Sequence, residues 1–124
     1  MSAPNLVNVA TITAKSDSLL LTGTSATKLL ENTASSGKVI KVNSLVVANV
    51  DGSSAATITV GIYPQDDIAG TPVLIASTIS VPADATLVVI DKNMGYYLEE
   101  DTSIGVTASA ANDLTCHVTY EELS

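Results

Sequence analysis

The sequence predicts an all-β fold, either an antiparallel β-sandwich or a jelly roll. Val, Ile and Thr are abundant among the 124 residues, whereas the helix-favouring Glu, Lys, Gln and Arg are scarce. Several segments alternate apolar and polar residues, as strands do when one face is buried and the other meets water. Turn-forming clusters recur about every ten residues, which favours many short strands in one domain.

Eight to ten short strands are predicted, from ten candidate segments that are separated by residues favouring turns. They cover residues 6–14, 18–21, 26–31, 38–50, 57–63, 73–81, 86–91, 96–98, 103–110 and 114–121. Asp-Gly, Pro-Gln-Asp-Asp, Gly-Thr-Pro, Pro-Ala-Asp, Asn-Met-Gly and Asn-Asp clusters separate the later strands. The cleanest alternation lies in strands 57–63, 103–110 and 114–121. It predicts a shared set of core side chains, namely Ile58, Val60, Ile62, Ile104, Val106, Cys116 and Val118.

The first segment, residues 1–21, fits the core pattern least well. Its Asn, Thr, Ser and short apolar pairs suit an arm that adds to the edge of a neighbour's sheet. The alternative is a set of ordinary first strands, and the residues alone leave both assignments open. Residues 22–124 are predicted to form a single β-sandwich domain.

Two strands are apolar on both faces at residues 45–48 and 87–90, although a strand in a two-layer sandwich needs one apolar face. A loop of the same chain could cover the second face, or another subunit could. The absence of Phe and Trp favours a subunit, because a core of small side chains gains stability from oligomerisation. The predicted interface residues are Leu45, Val47, Val88 and Ile90. We expect a homo-oligomer, with a trimer favoured.

Composition and charge exclude several classes of partner. Five Lys and no Arg stand against thirteen Asp and Glu, which gives a net charge of −8. A protein that binds nucleic acid generally, or an anionic membrane, needs a basic surface that this chain lacks. The first residues carry neither a basic region nor a continuous apolar run. We therefore expect no secretory signal and synthesis in a host cytoplasm.

No group of residues predicts catalysis, and we expect neither a cofactor nor a metal. Cys116 and His117 are adjacent on a strand, so they point to opposite faces and cannot act as a nucleophile and base pair. The carboxylates at Asp66, Asp67 and residues 99–101 lie at turns or strand ends without the D-x-D-x-D-G spacing of a calcium loop. Solvated acidic loops are the favoured interpretation, and calcium coordination there is the alternative.

From Gly37 onward, the order of strands and turns is similar to that of a known group of proteins. Strand 38–50 runs into an Asn-Val-Asp-Gly turn, and a Thr-rich strand follows at residues 55–63. Next come STISVPADATL at 77–87, YLEEDTS at 97–103, VTASA at 106–110 and VTYEE at 118–122. This succession resembles small virion structural proteins of tailed bacteriophages that infect marine bacteria.

The resemblance implies a β-sandwich present in many copies on a phage particle. The leading expectation is a capsid decoration, or cement, protein that binds between major capsid subunits. Its acidic surface suits the outside of the head, because an inner position would face DNA phosphates. The alternatives are a tail, collar or baseplate ring or fibre protein, and a receptor- or carbohydrate-binding module. The last is disfavoured because the chain has no Trp and only four Tyr.

Overall fold

The computed structural model describes residues 6–124 and confirms the predicted all-β sandwich. Over these residues the chain forms one short 3-10 helix, Leu6–Asn8, and nine strands. The strands are β1 (Ile12–Leu20), β2 (Thr27–Asn32), β3 (Val39–Asn49), β4 (Ala56–Tyr63), β5 (Val73–Val81), β6 (Thr86–Ile90), β7 (Tyr96–Leu98), β8 (Thr102–Ala108) and β9 (Leu114–Leu123).

The strands form two antiparallel sheets that pack face to face. In sheet 1 the order is β1-β9-β3-β6, and β7 pairs with β3 on the same side as β6. In sheet 2 the order is β2-β8-β4-β5. If the short β7 is set aside, the eight remaining strands follow the jelly-roll order, with 1-8-3-6 facing 2-7-4-5. The jelly-roll form of the prediction therefore holds.

The core lies between the sheets and has the register that the alternating strands predict. Of the seven predicted core residues, six are completely buried, and Ile62 is partly buried against the same cluster. Each of these strands has polar residues between its apolar ones, so a shift by one residue would place Thr side chains in the core. The burial of an apolar face thus fixes the register of β4, β8 and β9.

Residues 12–20 of the segment 1–21 form the first strand of the sandwich, whereas Leu6–Asn8, within the predicted strand 6–14, form a 3-10 helix. β1 pairs with β9 along its whole length, from Ile12 opposite Leu123 to Leu20 opposite Thr115. The sequence predicts two strands here, 6–14 and 18–21, whereas a single strand runs through residues 15–17. Every side chain of β1 except Leu19 is exposed, so this edge strand needs no apolar alternation. Residues 1–5 of the predicted arm lie outside the described residues.

Two buried asparagines join the sheets at opposite ends of the sandwich. Asn32, at the end of β2 in sheet 2, donates from Nδ2 to the carbonyl oxygens of Lys38 and Leu98, each at 2.9 Å, on the sheet 1 side. Asn49, at the end of β3 in sheet 1, donates to the carbonyl oxygens of Ser54 at 3.0 Å and Val81 at 2.9 Å. Asn32 therefore links sheet 2 to β7 of sheet 1, and Asn49 links sheet 1 to β5 of sheet 2.

Candidate functional site

An apolar groove of about 350 Å³ opens on the side of the sandwich where β5 of sheet 2 faces β7 of sheet 1. Its walls come from the end of β4, the beginning of β5, the half-buried Tyr96 at the start of β7 and Thr102 at the start of β8. The lining includes Ile62, Tyr63, Val73, Ile75, Tyr96 and Thr102, and no residue that lines it is charged. The groove offers aliphatic surface and two tyrosine side chains, an arrangement suited to binding an uncharged segment.

Gly105 sets the position of the Tyr63 ring in this wall. A Cβ atom at Gly105 would lie 2.5 Å from Cε1 of Tyr63 and 3.0 Å from Cγ2 of Ile68. Because Gly105 has no side chain, the Tyr63 ring lies directly over the backbone of β8. Glycine is required at position 105 because the ring approaches the backbone closely, and not because of its conformational freedom.

The loop between β4 and β5 is held by hydrogen bonds from its backbone to side chains of neighbouring elements. The amide of Asp66 donates to Oδ1 of Asp101 at 3.0 Å. The amide of Ile68 donates to Oγ of Ser103 at 2.9 Å, and the same hydroxyl donates to the carbonyl oxygen of Gln65 at 2.8 Å. Ser103 is completely buried. These bonds fix one wall of the groove before any partner binds.

The outer edge of β5 extends the groove into a longer apolar surface. Seven of the nine side chains of β5 are exposed, among them Val73 at 73 %, Leu74, Ile75 and Ile79. Residues 68–83 contain no charged side chain in a chain of net charge −8. Edge strands of soluble proteins usually carry charges that prevent unwanted pairing. We call the groove and the exposed side chains of β5 together the β5 surface.

The four predicted interface residues do not lie on one surface. Leu45 and Val47 are completely buried and Ile90 almost so, all three within the chain's own core, whereas Val88 is 56 % exposed. The register between β3 and β6 shifts so that Leu45 lies opposite Ile90 and Val46 lies opposite Val88. The extra residue between Val88 and Ile90 turns them to different faces of the sheet. Of the four, Val88 alone is available to a partner.

The predicted acidic turns hold loops together. Asp66 accepts a hydrogen bond from the amide of Ala34 at 2.9 Å, and Glu100 accepts one from the amide of Gly37 at 3.0 Å. Lys28 forms ion pairs with Glu31 at 2.8 Å and Asp67 at 3.2 Å, and hydrogen bonds to these two carboxylates raise the pKa of Lys28. Among residues 6–124, no group of three or more His, Cys, Asp or Glu is arranged to hold a metal ion.

Cys116 and His117 lie on opposite faces of β9. Cys116 is completely buried in the core, and desolvation raises the pKa of its thiol to about 12. Nδ1 of the exposed His117 lies 3.1 Å from Oγ of Ser18 on β1. A thiol that stays protonated and has no access to solvent is a poor nucleophile. The pair therefore contributes packing on one face and a contact between strands on the other.

The β5 surface was not identified from the sequence. Strand 73–81 was predicted, but its two exposed faces become evident only when the neighbouring strands are in place. One signal was available, namely the uncharged run at residues 68–83 in an acidic chain. An uncharged run that contains a predicted strand is equally typical of a central buried strand, so the run alone does not distinguish an exposed edge from a core position.

Two comparisons with known proteins give no further information about the β5 surface. A scan against protein-family models finds no match, and a search of curated proteins finds no similar sequence. Within the described part of the chain, no helix has the length and apolar character required to cross a membrane.

Proposed function

We propose that this protein is a non-enzymatic structural component of a tailed-bacteriophage particle, specifically a capsid decoration protein that binds between major capsid subunits and stabilises the head. The observation that carries the proposal is the β5 surface. An apolar, uncharged edge on an otherwise acidic sandwich is a surface suited to contact with other protein chains. The order of elements, which resembles that of phage virion proteins, is the reason for proposing that this contact is made in a phage particle.

The distribution of charge supports a position on the outside of the head. Eight more acidic than basic side chains give the chain a negative field, which repels the phosphates of packaged DNA. No residue that lines the groove and no residue of β5 is charged, so a partner can contact this surface without pairing with or displacing a carboxylate that belongs to it. A protein bound from the outside would use this surface toward the capsid and leave the acidic loops in solvent.

A tail, collar or baseplate ring is the second candidate. It is favoured by the position of two uncharged surface segments on opposite edges of the sandwich. Ala10 and Thr11, just before β1, lie at one edge of sheet 1, and the groove lies at the other. Contacts between unlike surfaces on opposite edges generate rings when the rotation closes.

The number of copies in a particle tests the proposal. Particles would be purified from the phage that encodes the chain and quantified by mass spectrometry, with peptides of the major capsid protein as the internal standard. We expect hundreds of copies, as a decoration protein requires. A count of three, six or twelve would assign the chain to a ring, and absence from particles would overturn a virion role.

Binding to heads provides the second arm of the test. Heads that lack the chain would be mixed with the purified protein, with a Val73→Glu variant and with a Val50→Glu control. Val50 is 58 % exposed and apolar like Val73 but lies in the turn between β3 and β4, away from the β5 surface. We expect the control to bind as the unmodified protein does and the Val73→Glu variant to be lost. Equal binding of both variants would exclude the β5 surface as the capsid contact.

A further inference from the structure

We propose that β1 of one copy pairs antiparallel with β1 of a second copy about a two-fold axis at Ser16. Sheet 1 of the two copies then forms one continuous sheet, with the two β1 strands at its centre. The contact uses no residue of the β5 surface, so it goes beyond the capsid role proposed above and does not depend on it. It can be tested on the purified chain.

β1 is a long edge strand without a bulge. It pairs with β9 in an unbroken register, and among residues 6–124 no strand pairs with its other side. The edge strands β2, β5 and β6 each have a register shift in their pairing with the next strand. Bulges of this kind protect an edge from the addition of a further strand, and β1 lacks that protection. Eight of its nine side chains are exposed.

The backbone groups of alternate residues in β1 point to the free edge. Before the strand, the amides of Thr11 and Ser124 each donate to the other's carbonyl oxygen at 2.9 Å. After it, the amide of Leu21 donates to the carbonyl oxygen of Leu114 at 2.9 Å. Since the register between these points is unbroken, the odd-numbered residues of β1 bond to β9. The amides and carbonyls of the even-numbered residues therefore point away from the sheet.

A two-fold axis at Ser16 pairs all of these outward-facing residues. Ser16 lies opposite Ser16 of the second copy, and Ala14 lies opposite Ser18. Ile12 lies opposite Leu20 of the second copy. Residues that face each other in this way exchange two backbone hydrogen bonds. Ile12 is 63 % exposed and Leu20 is 44 % exposed, so their contact also removes apolar surface from water.

The two charged side chains of β1 select this register. Lys15 and Asp17 point to the same face, and the axis places each of them opposite the other in the second copy. They occupy positions without mutual backbone hydrogen bonds, where side chains lie closest. A shift by two residues in either direction would place Lys15 opposite Lys15 or Asp17 opposite Asp17, and like charges directly opposite are unfavourable. A shift by one residue would leave the outward backbone groups unpaired.

Contacts within the chain hold both charges in place before the copies meet. Nζ of Lys15 lies 3.3 Å from Oε1 of Glu122, and the hydroxyl of Tyr120 donates to Oδ2 of Asp17 at 2.8 Å. An ammonium group has three donors, and a carboxylate accepts at both oxygens. Lys15 and Asp17 can therefore bind each other between copies and keep these partners.

Cysteine crosslinking measures the register directly. Ser16→Cys places two thiols opposite each other, at a Cα separation of about 5.5 Å that suits a disulfide. Ser18→Cys is the matched control, because it lies on the same face of β1 but about 13 Å along the strand from its counterpart. We expect oxidation by diamide to give a covalent dimer of the Ser16→Cys chain on a non-reducing gel. The Ser18→Cys chain and the unmodified chain, whose Cys116 is buried, should remain unlinked.

A mixture of Ala14→Cys and Ser18→Cys chains should also form the covalent dimer, because these positions lie opposite each other. Failure of the Ser16→Cys chain to link, or equal linking of the Ser18→Cys chain to itself, would overturn the proposal.

Reversal of each charge tests the ion pairs. Lys15→Asp or Asp17→Lys alone places like charges opposite each other twice in a dimer, so we expect the dissociation constant to rise by about tenfold or more. An equal mixture of the two chains restores opposite charges at both positions and should form a one-to-one heterodimer. Lys92→Asp and Glu99→Lys change the net charge equally at exposed positions outside β1, and they should leave the dissociation constant nearly unchanged. A mixture that associates no better than its components would contradict the register.

Ser16→Pro tests the backbone pairing without a change of charge. Proline removes an amide that points to the free edge, so the bonds to β9 remain and the fold should persist, which circular dichroism verifies. We expect sedimentation to show a dimer for the unmodified chain and a monomer for Ser16→Pro. A folded Ser16→Pro chain that stays dimeric would overturn the contact.

An unmodified chain that is monomeric at millimolar concentration, or that forms a trimer, would overturn the proposal and leave the virion role to the copy count. Conversely, a chain absent from particles that still gives the Ser16→Cys dimer would retain this contact without the proposed function. The two failures are therefore distinguishable.

Discussion

Gly105 determines whether the Tyr63 ring can occupy the groove wall. In a Gly105→Ala variant the new methyl group would meet the ring at 2.5 Å, so the ring or the strand must move. Overpacking of this kind costs about 1–3 kcal/mol, and we expect the free energy of unfolding to fall by that amount. Urea unfolding followed by circular dichroism measures it.

The matched control for Gly105→Ala is Gly23→Ala, where an added Cβ meets nothing within 4 Å and stability should hardly change. If the Tyr63 ring is the cause, Gly105→Ala combined with Tyr63→Leu should cost less than the sum of the single changes. Strict additivity would show that the ring is not what the added methyl group displaces.

The Cys116 thiol makes stability depend on alkaline pH. Burial raises its pKa to about 12 from an ordinary value of 9.0, so the folded state keeps the proton that the unfolded state loses. The stabilisation is complete below about pH 9 and is lost as pH rises toward 12. We expect the urea midpoint to fall more steeply between about pH 9 and pH 12 for the unmodified chain than for Cys116→Ala. Tyr120, whose pKa burial also raises to about 12, contributes equally to both proteins. Parallel pH profiles would contradict the assignment to Cys116.

The asparagines at the ends of β2 and β3 stabilise the contact between sheets. Replacing Asn49 with Leu leaves the carbonyl oxygens of Ser54 and Val81 without their donor and removes the acceptor of the Asp51 amide. Buried groups without partners cost about 1–3 kcal/mol each, so we expect a loss of about 3 kcal/mol. Denaturant unfolding measures this change.

Asn93→Leu, at an exposed turn position, is the control for Asn49→Leu and should change stability by less than about 0.5 kcal/mol. Equal losses in the two variants would mean that the inter-sheet hydrogen bonds of Asn49 are replaced at no cost.

At the scale of elements, the sequence predicts those strands in which apolar and polar residues alternate. The strands around Ile58, Val106 and Val118 and their buried faces follow from period-two patterning, and the structure has the same register. Bulges follow no such pattern. The extra residue in β6 separates Val88 from Ile90, and only the pairing with β3 reveals it. The continuity of β1 was also missed, because a strand exposed on both faces imposes no alternation.

The candidate site depends on what covers each strand, which the sequence does not state. Val73 and Val81 belong to one predicted strand, yet Val73 is largely exposed while Val81 is completely buried. Both residues have the same side chain and lie in the same edge strand, so what distinguishes them is the neighbouring structure that covers one end of β5 and leaves the other end open. The groove therefore depends on which strands are neighbours in the folded protein, and the sequence of β5 alone does not reveal it.

For the whole molecule, the net charge of −8 predicts how self-association responds to salt. In the paired β1 contact most of the attraction comes from backbone hydrogen bonds and apolar pairs, so salt screens the repulsion between the acidic surfaces more than it weakens the two exposed ion pairs. We therefore expect the dissociation constant to fall several-fold as NaCl rises from about 20 mM to about 300 mM. Sedimentation measures this shift. A contact weakened by salt would contradict this balance and indicate that the ion pairs of Lys15 and Asp17 contribute more than the backbone pairing does.

The two buried asparagines also have a mechanical consequence. Apolar side chains attract without strong direction, so two sheets held by them alone can slide or rotate past each other. Hydrogen bonds to backbone carbonyls are directional, and Asn32 and Asn49 place them at both ends of β3, about 35 Å apart. Two fixed points at that separation prevent translation and rotation together. A lateral force on either sheet passes to the other through the backbone, and the sandwich resists shear as one rigid plate.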